Sequence, residues 1–282
     1  MTANLDLVNR APENTKLWIL NLGNLECDEA FLKRNANTST LSDPNPPERK
    51  RRKLVVISAL IDHPSEGLIL FETGTGKNYP EVVGPQVNDV FAQVDYAEEQ
   101  DLDKAIEKTG HSIKDVKAVI LGHLHLDHAG GLEYFYGTNV PIYVHEMELK
   151  HAFYSVATGS DLGVYLPHYL RFDLNWQAFY GDFLELVPGL SIHHAPGHTP
   201  GLCILQVNLY HSGTWIFTSD MYHVKENYID SVPQGWLARN HDDWVRSNQM
   251  IKMLAKRTDA KVILGHCSET LSLWKTAPYY YT

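Results

Sequence analysis

The sequence predicts an α/β fold of mixed sheets covered by helices, and three observations carry that expectation. Short runs rich in β-branched residues alternate with helical patterns along the 282 residues. Several of those runs are apolar throughout, as strands buried on both faces are. One of them occurs twice: Val119-Ile120-Leu121-Gly122-His123 returns letter for letter as Val262-Ile263-Leu264-Gly265-His266. Two halves of similar build, each delivering a histidine from the C-terminal end of a buried strand, would explain the repeat. Coincidence within a common apolar pattern is the alternative.

Leu17–Leu22, Leu54–Ile61 and Gly67–Phe71 read as the first strands. Between the first two, the proline-bearing insertion Asn35–Lys53 reads as a loop that ends in the basic run Arg49–Lys53. Asp101–Thr109 reads as a short helix stopped by Gly110. Ala118–Gly122 and Ile142–His145 follow as strands, and Glu146–Ser155 as a helix. Leu190–His194, Cys203–Leu209 and Thr214–Thr218 are strands again, His241–Arg257 is an amphipathic helix, and Lys261–Gly265 is a last buried strand.

An apolar fraction of 44% and a charged fraction of 21% describe an ordinary globular chain, long enough for one domain, 1–282, with a sizeable core. The formal charge of −10 argues against nucleic acid as a partner, because phosphate backbones are bound by clustered Lys and Arg. No apolar run approaches the roughly 20 residues of a membrane span. Met1–Glu13 is polar and acidic with no hydrophobic core, so no secretory leader is expected. Cys27, Cys203 and Cys267 are widely spaced and form no CxxC pair, so neither a disulfide framework nor a thiolate zinc site is expected. A cytoplasmic location is the resulting expectation.

Chemistry concentrates behind the first copy of the repeat, in His123-Leu124-His125-Leu126-Asp127-His128-Ala129-Gly130-Gly131. Imidazole and carboxylate suit zinc and neighbouring first-row metals. A core gains nothing from such density, since each unpaired buried polar group costs about 1–3 kcal/mol. On an extended loop His123 and His125 can point to one metal, which leaves Asp127 and His128 for a second. Four ligands do not complete two sites. Pro196-Gly197-His198-Thr199-Pro200-Gly201 places His198 in a rigid turn, Asp220 ends the strand Trp215–Ser219, and His266 ends the second copy of the repeat.

Taken in that order, from about Leu17 to Cys267, these motifs resemble the metallo-β-lactamase superfamily. The resemblance implies a four-layer αββα sandwich of two pseudo-symmetric halves and two divalent ions, zinc by the family's habit. It also implies a ligand set: His123, His125 and His198 on one ion, Asp127, His128 and His266 on the other, and Asp220 between them. Within the superfamily, Asp220-Met221-Tyr222-His223-Val224-Lys225-Glu226-Asn227-Tyr228 resembles the DxxYxKEN stretch of quorum-quenching N-acyl homoserine lactonases. Fungal γ-lactamases that open benzoxazolinone-type rings look similar. The implied activity is hydrolysis, with a metal-bridging hydroxide opening a small cyclic amide, carbamate or ester in a detoxification-type reaction. Two alternatives stand beside it: a homoserine lactonase proper, and a glyoxalase II-like thioester hydrolase, for which only Arg49–Lys53 could supply an anion patch.

The chain departs from the lactonase pattern twice. Where the pattern has tyrosine three residues after the aspartate, this chain has His223, with Tyr222 one place earlier. Where the family has a DTG motif that supports the metal histidines, it has Glu72-Thr73-Gly74, so the supporting carboxylate reaches one methylene further. A ring nitrogen leaves only when protonated, and an imidazole with an ordinary pKa near 6.5 is a better acid for that step than a phenol near 10. His223 is therefore the expected acid, with Tyr222 as the substitute donor and Asp127 beside them in the catalytic set. Nine aromatics, Phe153, Tyr154, Tyr165, Tyr169, Phe172, Trp176, Phe179, Tyr180 and Phe183, make the stretch at about 146–190 the expected substrate wall. The expected partner is a small cyclic substrate, with pairing into a homodimer left open.

Overall fold

Successive residues of the first strand, β1 (Lys16–Asp28), enter two different apolar layers: Leu17 and Ile19 on one face, Trp18 and Leu20 on the other. Its antiparallel neighbour β2 (Arg51–His63) sends Val55, Ile57, Ala59 and Ile61 to the first layer and Leu54, Val56 and Leu60 to the second. Burial on both faces is why these strands read as apolar throughout rather than alternating. The computed structural model describes residues 9–45, 48–161 and 163–282. Residues 1–8 of the Met1–Glu13 stretch, and Pro46 and Pro47 of the expected loop, lie outside the described residues.

Seven strands form one sheet. With β3 (Gly67–Phe71), β4 (Ala92–Val94), β5 (Val116–Ile120), β6 (Ile142–His145) and β7 (Trp176–Phe179), its order is β4-β1-β2-β3-β5-β6-β7. The other sheet runs β12-β11-β10-β9-β8 and comprises β8 (Phe183–Val187), β9 (Leu190–His194), β10 (Cys203–Leu209), β11 (Gly213–Phe217) and β12 (Lys261–Ile263). The layer between the sheets holds Ile69, Phe71 and Ile120 from one and Ile192, Leu205 and Phe217 from the other. Helices Tyr79–Val90, Leu102–Glu107 and Glu146–Thr158 cover the first sheet with Tyr79, Ala105, Ile106 and Ala152. Helix His241–Thr258 covers the second, packing Trp244, Ile251 and Leu254 on Ile204 and Ile216. The order helix, sheet, sheet, helix is the four-layer αββα sandwich.

The repeat is a structural equivalence. β3 runs parallel to β5 with Phe71 opposite Ile120, and β11 runs parallel to β12 with Phe217 opposite Ile263. Just beyond, Glu72 N donates to Ile120 O and Thr218 N to Ile263 O, each at 3.0 Å. Both copies therefore leave their strands at the same edge of the sandwich, and His123 and His266 emerge there together.

Several expectations need correction. Helix Tyr79–Val90 was hidden by Pro80, Gly84 and Pro85, and Gly84 kinks it with φ 79° and ψ 165°. β7 and β8 lie inside the segment expected to form the substrate wall. Strand β2 absorbs Arg51, Arg52 and Lys53, which pair with acids: Arg51 with Glu26 at 2.7 Å, Arg52 with Glu226 at 2.8 Å and Glu29 at 3.2 Å, and Lys53 with Asp95. These three are not a free basic patch. The C-terminal segment is docked, with Tyr281 bonded to Leu17 and its ring 4.4 Å from that of Trp215. No helix among the described residues is long and apolar enough to cross a membrane.

Candidate metal centre

Beyond β5 the chain continues through Leu121 and Gly122 to His123, then turns into the one-turn helix Leu126–Ala129, which carries Asp127 and His128. The turn between β9 and β10 brings His198, the segment after β11 brings Asp220, and the segment after β12 brings His266. All seven side chains expected as ligands meet at this edge. Their donor atoms gather in overlapping groups: His123, His125, His198 and Asp220, then Asp127, His128 and His266. Glu72 joins His123 and His128 in a third.

Asp220 stands between the groups, and its two oxygens divide them. Oδ1 faces His266 Nε2 at 2.8 Å and His128 Nε2 at 3.1 Å. Oδ2 faces His198 Nε2 at 3.3 Å, His123 Nε2 at 3.7 Å and His223 Nε2 at 3.2 Å. Asp127 completes the first set, 3.5 Å from His266 Nε2 and 3.7 Å from His128 Nε2. His125 Nδ1 and His198 Nε2 complete the second, 3.0 Å apart.

The far nitrogens are held by protein. His123 Nδ1 meets Ser219 Oγ at 3.1 Å, His198 Nδ1 meets Gln234 Oε1 at 3.1 Å, and His266 Nδ1 meets Val55 O at 2.9 Å. Those acceptors fix the ring orientation and leave each Nε2 lone pair aimed inward. Gln234 also donates to the Asp220 backbone carbonyl. Neither Gln234 nor Ser219 carries a sequence signal, because each acts through a partner brought close only by folding.

Burial first, and neighbouring histidines second, push His123 and His125 well below the usual imidazole range, and burial does the same to His198. That direction favours the neutral imidazole, the form in which histidine ligates a metal. Burial opposes charge on Asp220 as well, but His266, His128 and His223 outweigh it and hold the carboxyl well below its ordinary value. His128 and His266 are pushed down by burial and raised above the ordinary value by Asp220. Among the described residues, Nε2 of His123, His125 and His128 and both ring nitrogens of His223 are buried without a hydrogen-bond partner. Such atoms cost about 1–3 kcal/mol each, a cost that coordinated cations would remove at His123, His125 and His128. Five imidazoles and two carboxylates are the donor set of first-row divalent ions, so the residues fit the implied pair.

The centre opens onto a narrow pocket lined by Leu25, Leu54, Phe91, Leu126, Val164 and Leu237 together with His125, Asp127, Asp220, His223 and His266. None of the nine expected wall aromatics is among the residues lining this pocket, to which the segment contributes Val164. Phe172 is 92% exposed and Tyr180 76%, whereas Tyr165 and Tyr169 are buried behind the loop that follows β5, donating to Glu148 and to Leu124 O. Tyr222 also departs from expectation: it is fully buried, and its hydroxyl donates to Asn248 Oδ1 at 2.8 Å beneath helix His241–Thr258. That hydroxyl is spent on the helix and not on the candidate ligand cluster. His223 does line the pocket, its backbone fixed by Asn227 Oδ1 at 3.1 Å.

The family described as the metallo-beta-lactamase superfamily matches residues 52–266. N-acyl homoserine lactonase AiiB of Agrobacterium fabrum is 28% identical over 280 residues, spanning 94% of this chain and 99% of that protein. N-acyl homoserine lactonase AiiA of Bacillus thuringiensis subsp. kurstaki is 30% identical over 219 residues, spanning 76% of this chain and 82% of that one. A solved N-acyl homoserine lactone hydrolase, with the product N-hexanoyl-L-homoserine at its catalytic metal centre, superposes with a TM-score of 0.76 at 26% identity. That superposition covers 94% of this chain and 98% of that one.

Proposed function

The chain belongs to the metallo-β-lactamase superfamily and is a hydrolase of it, and on that premise we propose that it opens a small cyclic ester or cyclic amide at a two-ion centre. The observation that carries this reading is the division of Asp220 between two imidazole sets. His123, His125 and His198 would hold one ion, Asp127, His128 and His266 the other, with Asp220 shared and zinc as the metal. A bound pair of divalent ions supplies an activated water nucleophile at neutral pH and polarises a carbonyl.

The protein's own part is placement. Leu25, Leu54, Phe91, Val164 and Leu237 keep water from the bound ring and seat its apolar portion. His223 presents its ring beside Asp220 Oδ2, where an N–H donates to the developing oxyanion or hands a proton to the departing heteroatom. The lactonase names of the relatives support an ester ring. The imidazole at position 223 supports a nitrogen-leaving ring, of the benzoxazolinone kind, as the second reading. A thioester carried by an anionic group has less support, since Arg51, Arg52 and Lys53 are spent on acids.

Purified, zinc-replete protein assayed in parallel on a homoserine lactone and on benzoxazolinone separates these readings. Turnover of either ring, at two ions per chain, is expected. Less than one ion per chain would sink the two-ion centre, and lactone-only turnover would leave the ester reading alone. His223→Phe is expected to lower turnover of the nitrogen-leaving ring more than that of the lactone; unchanged turnover of both would remove His223 from the chemistry.

A further inference from the structure

Glu148, in the first turn of helix Glu146–Thr158, is fully buried and belongs to none of the ligand groups. Both of its oxygens are occupied. Oε1 accepts from Leu124 N and from the Tyr165 hydroxyl, each at 2.9 Å. Oε2 accepts from Thr199 Oγ1 at 2.5 Å and from Gly201 N at 3.3 Å. Leu124 stands between His123 and His125, and Thr199 follows His198. One carboxylate thus grips the two loops that deliver the donors of a single ion, and those loops come from different sheets.

The surroundings are built for that grip. A Cβ on Gly201 would come within 2.1 Å of Glu148 N, so glycine alone lets the turn after His198 seat against the helix. The Tyr165 ring packs edge-on to His125 with centroids 4.7 Å apart, and the Tyr169 hydroxyl donates to Leu124 O at 2.8 Å. A buried carboxylate with four donors is satisfied, whereas a neutral amide in its place would set an NH₂ against N–H and O–H donors.

We propose that Glu148 is a positioning residue that clamps the His123–His125 loop to the His198 turn and so sets the geometry of one ion site without ligating the ion or touching substrate. The inference rests on the two-ion reading above. Its test is a Co²⁺ titration of the metal-free full chain, followed by the visible spectrum and by thermal unfolding, on wild type, Glu148→Gln and, as a marker for the ion held there, His198→Ala. Glu148→Gln is expected to weaken that one ion about tenfold or more while the other keeps its affinity, and to shrink the stabilisation that cobalt confers. A purely structural role would lower the melting temperature equally with and without cobalt and leave both affinities alone, and that outcome overturns the proposal. Should Glu148→Gln fail to fold, Thr199→Val and Tyr165→Phe each remove one donor. Weakening of the same ion in both supports the clamp, and unchanged affinities overturn it. A wild-type chain that took up no cobalt would overturn the two-ion reading and the clamp with it, whereas two tight ions in wild type and in Glu148→Gln overturn the clamp alone.

Discussion

Ser219 Oγ donates to Glu72 Oε1 across 2.7 Å, joining the ends of strands from the two sheets. Both residues occupy the left-handed region, with φ of 63° at Glu72 and 45° at Ser219, a conformation side-chain-bearing residues keep only where the surroundings impose it. Ser219 Oγ also meets His123 Nδ1 at 3.1 Å, and Glu72 Oε1 faces His128 Nδ1 at 3.2 Å. A single carboxylate oxygen therefore faces an imidazole of one candidate donor set directly and reaches an imidazole of the other through a hydroxyl. Glu72→Asp restores the family's DTG spelling but withdraws the carboxylate by one methylene. Zinc affinity, read by competition with a chromophoric chelator, is expected to fall about 10–100-fold in that variant and less in Ser219→Ala, which loses only the His123 branch. Equal affinity in Glu72→Asp and wild type would show that the longer side chain is not needed.

If the proposed ions are bound, removing them should be felt throughout the sandwich, because the inward-facing nitrogens of His123, His125 and His128 have no hydrogen-bond partner among the described residues. A ligand at a thousandfold its dissociation constant stabilises the folded state by about 4 kcal/mol. For a chain of this size that corresponds to a shift on the order of 10 °C. Treatment with a chelator is expected to lower the melting temperature by that order, and zinc to restore it. A scan indifferent to chelator would contradict the fit of this donor set to resident ions.

His145 caps helix Glu146–Thr158 by accepting from Met147 N at 3.2 Å, and its ring lies flat on that of His194 with centroids 4.0 Å apart. Burial, and after it His194, pushes its pKa down to about 4. In the unfolded chain the imidazole titrates near 6.5. Between those values the unfolded state binds more protons, so stability is lost as pH falls from about 6.5 to about 4, with no further loss from this group below. His145→Asn keeps a capping acceptor but does not titrate, so its urea-unfolding free energy should decline less over that window than that of wild type. Parallel declines would place the acid sensitivity elsewhere.

How much of this was legible follows from where each signal lives. The candidate ligands were readable because seven donors fall in a few short motifs, and the two halves because the repeat is literal. Val119–His123 and Val262–His266 indeed occupy equivalent places beside β3 and β11. Glu72 was readable as a supporting carboxylate, and it does face His128. The pocket wall was not, since Leu25, Leu54, Phe91, Val164 and Leu237 come from five separate segments and look like ordinary core in sequence. Aromatic density misled for the converse reason: Tyr165 and Tyr169 serve the inside of the fold and Phe172 and Tyr180 face solvent. Tyr222 and His223 are sequence neighbours that point to opposite sides of the second sheet's edge, an alternation that only the backbone there decides.

The corrected wall yields its own prediction. Leu237 is 6% exposed and lines the pocket, whereas Phe172 is almost fully exposed. Leu237→Ala is expected to cost about tenfold or more in kcat/KM on the ring that wild type turns over, the range for apolar groups removed from a substrate pocket. Phe172→Ala should stay within about twofold, as substitutions at exposed positions do. The reverse ranking would return the substrate wall to the aromatic segment.

The two glycines of the repeat are held by space rather than by backbone freedom. A Cβ on Gly122 would lie 2.6 Å from Glu72 Oε1, 2.7 Å from Ser219 Oγ and 2.8 Å from Cys203 O. One on Gly265 would lie 2.4 Å from Ser219 O and 2.9 Å from Asp220 Oδ1. Forcing a methyl into either place costs about 1–3 kcal/mol where neighbours can shift. The neighbours here are Asp220 and the groups around His123 and His128, so strain relieved by shifting them is transferred to the proposed ion sites. Gly122→Ala and Gly265→Ala are expected to lose stability in urea and to bind zinc more weakly than wild type. The second should be the worse in metal binding because it displaces Asp220 itself. Either variant retaining wild-type zinc affinity after losing stability would show that the glycine serves packing alone, and would separate the Gly-His repeat from the construction of the site.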